Sequence, residues 1–151
     1  MVTGLIALVV VLAAASAAGL ALRQRQGRFT QGTSAHDQPS SADALSAADL
    51  GAPLGARATL VQFSTEVCAY CGPTRALLTE VAMERDGVSF VEIDAAERMD
   101  LTRRLRVLST PTVLVLDALG GITSRASGPL RKADLLTAVG AAVPATAGDA
   151  S

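Results

Sequence analysis

The chain has 151 residues, half of them apolar, and its formal net charge is −1 at pH 7. This length fits one domain of ordinary size. The near-neutral charge argues against a nucleic-acid partner, which would need a strong basic excess on one face. The two cysteines are too few for the disulfide scaffold of a small secreted domain.

A continuous apolar run without charged side chains occupies residues 2–22. As a helix rising about 1.5 Å per residue, this run would reach about 31 Å, which matches a bilayer core. We therefore predict a transmembrane anchor over residues 1–22. The alternative is a cleaved signal peptide with Ala15-Ser16-Ala17 as its cleavage site. Against that alternative, no Lys or Arg precedes the apolar run.

Basic residues follow this run directly, at Arg23, Arg25 and Arg28. The positive-inside tendency then predicts a single-pass protein of the cell membrane with its C-terminal part in the cytoplasm. An extracytoplasmic domain is the alternative orientation.

Residues 23–56 are rich in Gly, Ser, Ala, Gln, Pro and Asp, which predicts a flexible spacer. Residues 41–50 are compatible with a short helix whose Leu45 and Leu50 pack on the domain edge. His36 lies in this spacer, and we interpret it as a solvated linker residue rather than a ligand or a base.

From residue 57 onward the pattern alternates between strands and helices, which predicts an α/β domain over residues 57–144 and a disordered tail over 145–151. Leu101, Leu105 and Leu108 are the apolar positions at helical spacing in the second predicted helix. The predicted strands cover residues 58–64, 88–94, 111–116 and 122–127, and the predicted helices cover 74–85, 97–107 and 131–143.

Cys68 and Cys71 lie between the first predicted strand and the first predicted helix. A Cys-x-x-Cys pair at such a corner is a redox signature. Unpaired N–H groups and the helix dipole favour an anion there, so Cys68 should lose its proton more readily than a free thiol. Cys71 is near enough to close a disulfide on it. With His36 as the remaining Cys or His ligand, we expect no metal site within one chain; a half-site shared by two chains is the alternative.

These features resemble the thioredoxin family over residues 57–143. Phe63 precedes Cys68 by the family's spacing, and Ser109-Thr110-Pro111-Thr112 stands where the family carries its cis-proline. Gly128-Pro129 follows the last predicted hairpin. The resemblance implies a thioredoxin-like fold, a central mixed β-sheet flanked by helices, in a membrane-anchored bacterial protein.

The motif can be aligned in a second register. Tyr70-Cys71-Gly72-Pro73-Thr74 resembles the family's Trp-Cys-Gly-Pro-Cys with Thr in place of the last cysteine. That register would make Cys71 the nucleophile without a resolving partner. The spacing from Phe63 favours Cys68 instead.

The resemblance implies a thiol:disulfide oxidoreductase in which Cys68 is the nucleophile and Cys71 resolves the mixed disulfide. No cofactor is expected beyond the redox-active Cys68–Cys71 disulfide. The implied partners are protein disulfide or thiol substrates and a thiol electron donor. The expected substrate-binding residues are Ala69, Tyr70, Thr110, Pro111 and Gly128.

The chain departs from the family pattern at several positions. Val67 replaces the usual tryptophan, and Ala69-Tyr70 replaces the Gly-Pro between the cysteines. Gln62 stands where the family has a buried acid, so proton transfer would use water, Glu66 or no dedicated group. The redox direction stays open. Two other functions remain in view: an extracytoplasmic oxidant or reductant, and a non-catalytic, membrane-tethered binding module.

Overall fold

The computed structural model describes residues 10–17, 19, 30–31 and 44–143. Residues 10–17 are helical and exposed. Within these described ranges, no helix is both long enough and apolar enough to cross a membrane. Three predicted segments lie wholly or largely outside the described residues. They are most of the anchor (1–22), much of the spacer (23–56) with His36, and the tail (145–151).

A mixed β-sheet forms the centre of the domain, and its strand order is β1-β5-β4-β2-β3. β2 and β3 are parallel, and the other neighbouring strands are antiparallel. The predicted mixed sheet flanked by helices is therefore confirmed. The strands are β1 (Thr30–Gln31), β2 (Ala58–Ser64), β3 (Val88–Asp94), β4 (Thr112–Asp117) and β5 (Ile122–Ser127).

Four helices accompany the described part of the sheet: α1 (Ala47–Leu50), α2 (Cys71–Glu84), α3 (Met99–Arg104) and α4 (Lys132–Ala142). One apolar cluster joins Leu60 of β2 to Leu78 of α2 and Leu135 of α4. The opposite cluster joins Phe63 of β2 to side chains of α1 and α3, including Leu101. Every residue of β2 is buried because the strand lies between these two clusters.

Ion pairs hold α2 against its neighbours. The Arg75 guanidinium contacts both carboxylate oxygens of Glu92 on β3, at 2.6 and 2.7 Å. Hydrogen bonding to Glu92 raises the pKa of Arg75. Lys132 of α4 contacts Glu80 and Glu84 at 2.8 and 3.2 Å. The side chains of these three ion pairs are partly or largely exposed to solvent, so their contribution to stability is small compared with that of the buried core.

The third helix, α3, ends at Arg104, three residues earlier than predicted. Arg106 has a left-handed backbone with φ of 50°, which stops the helix. Arg125 of β5 donates to the carbonyls of Leu105 and Arg106 at 2.6 and 2.7 Å. The prediction that Leu108 continues the apolar face was wrong: Leu108 is 93 % exposed and Val107 is buried instead.

Residues 44–50, which fall in the range predicted as a spacer, pack against the domain. Leu45 is 1 % exposed, Leu50 is also buried, and both belong to the apolar cluster around Phe63. The Leu45 N–H donates to the Gly120 carbonyl at 2.9 Å. Gly120 has φ of 85°, and a Cβ there would lie 2.0 Å from the Leu45 oxygen, so this close approach requires glycine.

A capping box stabilises the N-terminus of the short helix α1. The Asp49 N–H donates to the Ser46 hydroxyl, and the Ser46 N–H donates to the Asp49 carboxylate at 2.9 Å. The Ser46 hydroxyl also donates to this carboxylate at 2.8 Å, and the hydrogen bonds from the Ser46 N–H and hydroxyl, with a smaller effect of Arg104, hold the pKa of Asp49 below its usual value. Arg98 donates to the Asp49 carbonyl at 2.8 Å, which ties α1 to the residues that begin α3.

Candidate active site

The Cys68–Cys71 pair lies in the connection between β2 and α2 and forms a disulfide. Its S–S distance is 2.03 Å and its Cα atoms are 5.4 Å apart. Two successive turns shape this connection, because the Cys68 N–H donates to the Thr65 carbonyl and the Cys71 N–H donates to the Cys68 carbonyl. The expectation that Cys71 is near enough to close a disulfide is confirmed.

The two cysteines differ in their access to solvent. Cys68 is partly exposed, whereas Cys71 is 3 % exposed and is the first residue of α2. The first turn of α2 contains no acidic residue, and no side chain caps its N–H groups. The positive end of the helix dipole therefore faces the disulfide without a competing carboxylate in that turn, which favours a thiolate when the pair is reduced.

The loop before β4 lies at the same end of the sheet as the cysteines. Phe63 near the end of β2 pairs with Thr112 at the start of β4. The hydroxyls of Thr65 and Thr110 are 3.1 Å apart, so they join the cysteine loop to this second loop. The Thr110–Pro111 peptide bond is cis, as the resemblance implied.

Gly128 completes this end of the sheet. Its N–H donates to the Pro111 carbonyl at 2.8 Å, and its φ is 86°. The structure thus brings Thr110, Pro111 and Gly128 together beside the loop that carries Cys68. Pro111 is buried, whereas Thr110 and Gly128 are partly exposed.

Exposed apolar side chains occur in both loops at this end. Val67 is 94 % exposed and Tyr70 is 54 % exposed, and each flanks a cysteine in sequence. Leu108, two residues before Thr110, adds a third exposed apolar side chain that the sequence prediction assigned to the core. The sequence contained a signal for this position. Leu108 comes after the end of the predicted helix and directly before the predicted cis-proline loop, so it had no place on the apolar face of that helix.

Gln62 lies beneath the cysteines in the middle of β2 and is completely buried. Its side-chain amide donates from Nε2 to the Cys71 carbonyl at 3.0 Å. Glu66, the other residue considered for proton transfer, is exposed in the loop before Cys68. Among residues that the structure describes, no group of three or more His, Cys, Asp or Glu could hold a metal ion.

A disulfide at a strand-to-helix corner beside a cis-proline loop defines the class of dithiol–disulfide exchange proteins with a thioredoxin-like fold. Comparison with protein families narrows this class. The thioredoxin family model matches residues 51–141, and the chain therefore belongs to the thioredoxin family.

Solved structures agree with this assignment. Chloroplastic thioredoxin z is 30% identical over a match that covers 58% of this chain and 79% of that chain, with a TM-score of 0.52. Thioredoxin-2 of the malaria parasite, a component of protein secretion machinery, is 16% identical and shows the fold alone. That match covers 56% of this chain and 82% of that chain, with a TM-score of 0.51. A comparison with curated proteins found no significant match.

Membership of this family, together with the disulfide-bonded Cys68–Cys71 pair, supports thiol–disulfide oxidoreductase activity in general. The substrate-binding roles of Ala69, Tyr70, Thr110, Pro111 and Gly128 stay predictions.

Proposed function

We propose that this protein reduces disulfides in partner proteins, with Cys68 as the nucleophile and Cys71 as the resolving cysteine. The unequal access of the two cysteines supports the roles assigned to them here. A partner's sulfur can reach the partly exposed Cys68, whereas Cys71 is buried behind it. The buried cysteine then reacts only with the sulfur that lies beside it.

The proposed reaction has two steps. The Cys68 thiolate attacks one sulfur of the partner disulfide, forms a mixed disulfide and expels the other sulfur as a thiolate that takes up a proton. Cys71 then gives up its proton and attacks the Cys68 sulfur, which releases the second partner thiol and leaves the Cys68–Cys71 disulfide. A thiol electron donor returns two electrons and two protons. No cofactor or metal takes part.

The partner segment is proposed to lie in an extended conformation across the Thr110–Pro111 loop. Backbone groups at Thr110 would pair with this segment as a short added strand, and Ala69, Tyr70 and Gly128 would border it. The exposed side chains of Val67 and Leu108 offer apolar contacts on the two sides of the disulfide.

Insulin reduction with dithiothreitol as the thiol donor tests this function. The unmodified protein should accelerate precipitation of the insulin B chain, and the Cys68→Ser variant should return the rate to the uncatalysed background. Met83→Ala, which changes an exposed side chain on α2 outside the cysteine loop, should keep the full rate. No acceleration by the unmodified protein would instead favour a non-catalytic binding module.

We further propose that residues 2–22 attach the domain to the cell membrane with the C-terminal part in the cytoplasm. The protein should then stay with membranes after alkaline carbonate extraction. Replacing Val11 and Leu12 with Arg should release it, because each charge near the centre of a span costs about 2.5–3.5 kcal/mol.

A C-terminal reporter that is active only outside the membrane should give no signal. Strong reporter activity would place the domain outside and favour an extracytoplasmic oxidant or reductant.

A further inference from the structure

The amide of Gln62 has a defined orientation because of its contact with Cys71. Nε2 lies 3.0 Å from the Cys71 carbonyl oxygen. A backbone carbonyl only accepts hydrogen bonds, so the atom that faces it must be the NH₂ group. The other polar atom of the amide, Oε1, therefore points away from this carbonyl.

Oε1 of Gln62 is buried and has no hydrogen-bond partner among the residues that the structure describes. A buried acceptor without a donor costs free energy, and such atoms are rare in folded proteins. Within the described part of the chain, Ser124 Oγ and Asp134 Oδ2 also lack a hydrogen-bond partner, although Asp134 Oδ2 lies 3.8 Å from the Arg131 guanidinium. Gln62 differs from both because its amide forms a hydrogen bond with the backbone carbonyl of Cys71, a cysteine of the disulfide.

Reduction creates a donor next to this amide. In the disulfide, the sulfur of Cys71 is bonded to that of Cys68 and carries no hydrogen. Two electrons and two protons break the S–S bond and give two thiols, and two thiols of a donor such as glutathione are oxidised to a disulfide in the same reaction. Cys71, which is buried, then carries an S–H group.

We propose that Gln62 is a positioning residue of the redox site: in the reduced protein its Oε1 accepts a hydrogen bond from the Cys71 thiol. This inference rests on the proposed function. The bond exists only in the reduced state, so it stabilises the dithiol and raises the reduction potential of the pair. It also keeps Cys71 as a neutral thiol while Cys68 attacks the partner.

The proton of Cys71 then leaves only when the mixed disulfide is resolved. Cys71 attacks the Cys68 sulfur, the bond between Cys68 and the partner breaks, and the partner sulfur departs as a thiolate that takes up a proton. Gln62 is neutral at all accessible pH values and removes no proton itself, so the Cys71 proton passes to solvent or to the departing sulfur.

Equilibration with glutathione buffers measures the proposed effect. Gln62→Met keeps the length of the side chain and removes Oε1. The equilibrium should shift toward the disulfide by about fivefold, which is about 20 mV toward lower potential for a two-electron couple. The bond from Nε2 to the Cys71 carbonyl is a backbone contact available in both redox states, so its loss should largely cancel. Ser124→Ala, which removes a different buried atom without a partner, should leave the potential unchanged.

Unfolding in urea separates this effect from a structural one. Gln62→Met should raise the unfolding equilibrium constant of the reduced form more than that of the oxidised form, by the same factor of about fivefold. Equal destabilisation of both forms, with a redox equilibrium constant within about 1.5-fold of that of the unmodified protein, would overturn the inference and indicate a buried water or an empty site.

A measurement on the unmodified protein covers the case in which Gln62→Met does not fold. The carbonyl carbon of the Gln62 amide, observed by nuclear magnetic resonance, should shift on reduction in the direction expected for a new hydrogen bond, and an unchanged shift would contradict the proposal. Failure of the proposed function is distinguishable, because it appears as absent insulin reduction by the unmodified protein whatever the potential of the Gln62→Met variant.

Discussion

Replacing Cys71 with Ser should leave partner proteins attached to Cys68 as mixed disulfides. Cys68 remains partly exposed and keeps its place before the α2 N-terminus, so attack on a partner should continue. Resolution should fail, because the neighbouring sulfur at a Cα distance of 5.4 Å is gone. An external thiol lacks the high effective concentration of a neighbouring group, so we expect turnover to fall on the order of a hundredfold or more.

Non-reducing electrophoresis and mass spectrometry of the adducts would measure this result. The Cys68→Ser variant and the double variant that lacks both cysteines are the controls, and neither should retain partners. Adducts that form on Cys71 when Cys68 is replaced would show that Cys71 is the nucleophile. That outcome would establish the second register of the motif, in which Tyr70-Cys71-Gly72-Pro73 carries the chemistry.

Replacing Leu45 with Ala should lower the free energy of unfolding by about 2–5 kcal/mol. The Leu45 side chain is fully buried beside Phe63 and Leu116, and truncation would leave a cavity that the rigid sheet cannot close. The backbone hydrogen bond from Leu45 to Gly120 stays available in the variant, so the loss reports on packing.

Urea unfolding of the oxidised protein checks this value. Leu119→Ala is a matched control in the β4–β5 hairpin, next to the glycine that contacts Leu45. Leu119 is 88 % exposed, so its replacement should change stability by no more than about 0.5 kcal/mol. A loss below about 1 kcal/mol for Leu45→Ala would mean that residues 44–50 do not unfold together with the sheet.

The local sequence pattern was enough to predict most of the secondary-structure elements. The bounds of β2, β3 and β5 agree with their sequence predictions, because each is a short β-rich run delimited by turn residues. The redox pair was also identified from local features, since a Cys-x-x-Cys pair between a strand and a helix needs no distant contact to be recognised. The spacing of Pro111 and Gly128 from this pair then indicated the family.

Contacts between distant residues decided what local pattern could not. Leu108 continues a helical apolar spacing, yet Arg125 of β5 binds the carbonyls before it and the helix has already ended. Leu45 stands in a segment with the composition of a linker. The sequence predicted that it packs on the domain edge, but the tertiary structure shows that it is buried in the core and that its N–H donates to the Gly120 carbonyl.

The chemistry of the site divides in the same way. The sequence alone identifies a dithiol pair, a candidate cis-proline and a glutamine in place of a buried acid. The tertiary structure decided that Cys68 is accessible while Cys71 is buried, and that the Gln62 amide bonds to Cys71. Exposure and hydrogen bonding depend on which elements pack over a residue. The loop before β4 lies beside the cysteines here because β4 pairs with β2, a strand distant from it in sequence.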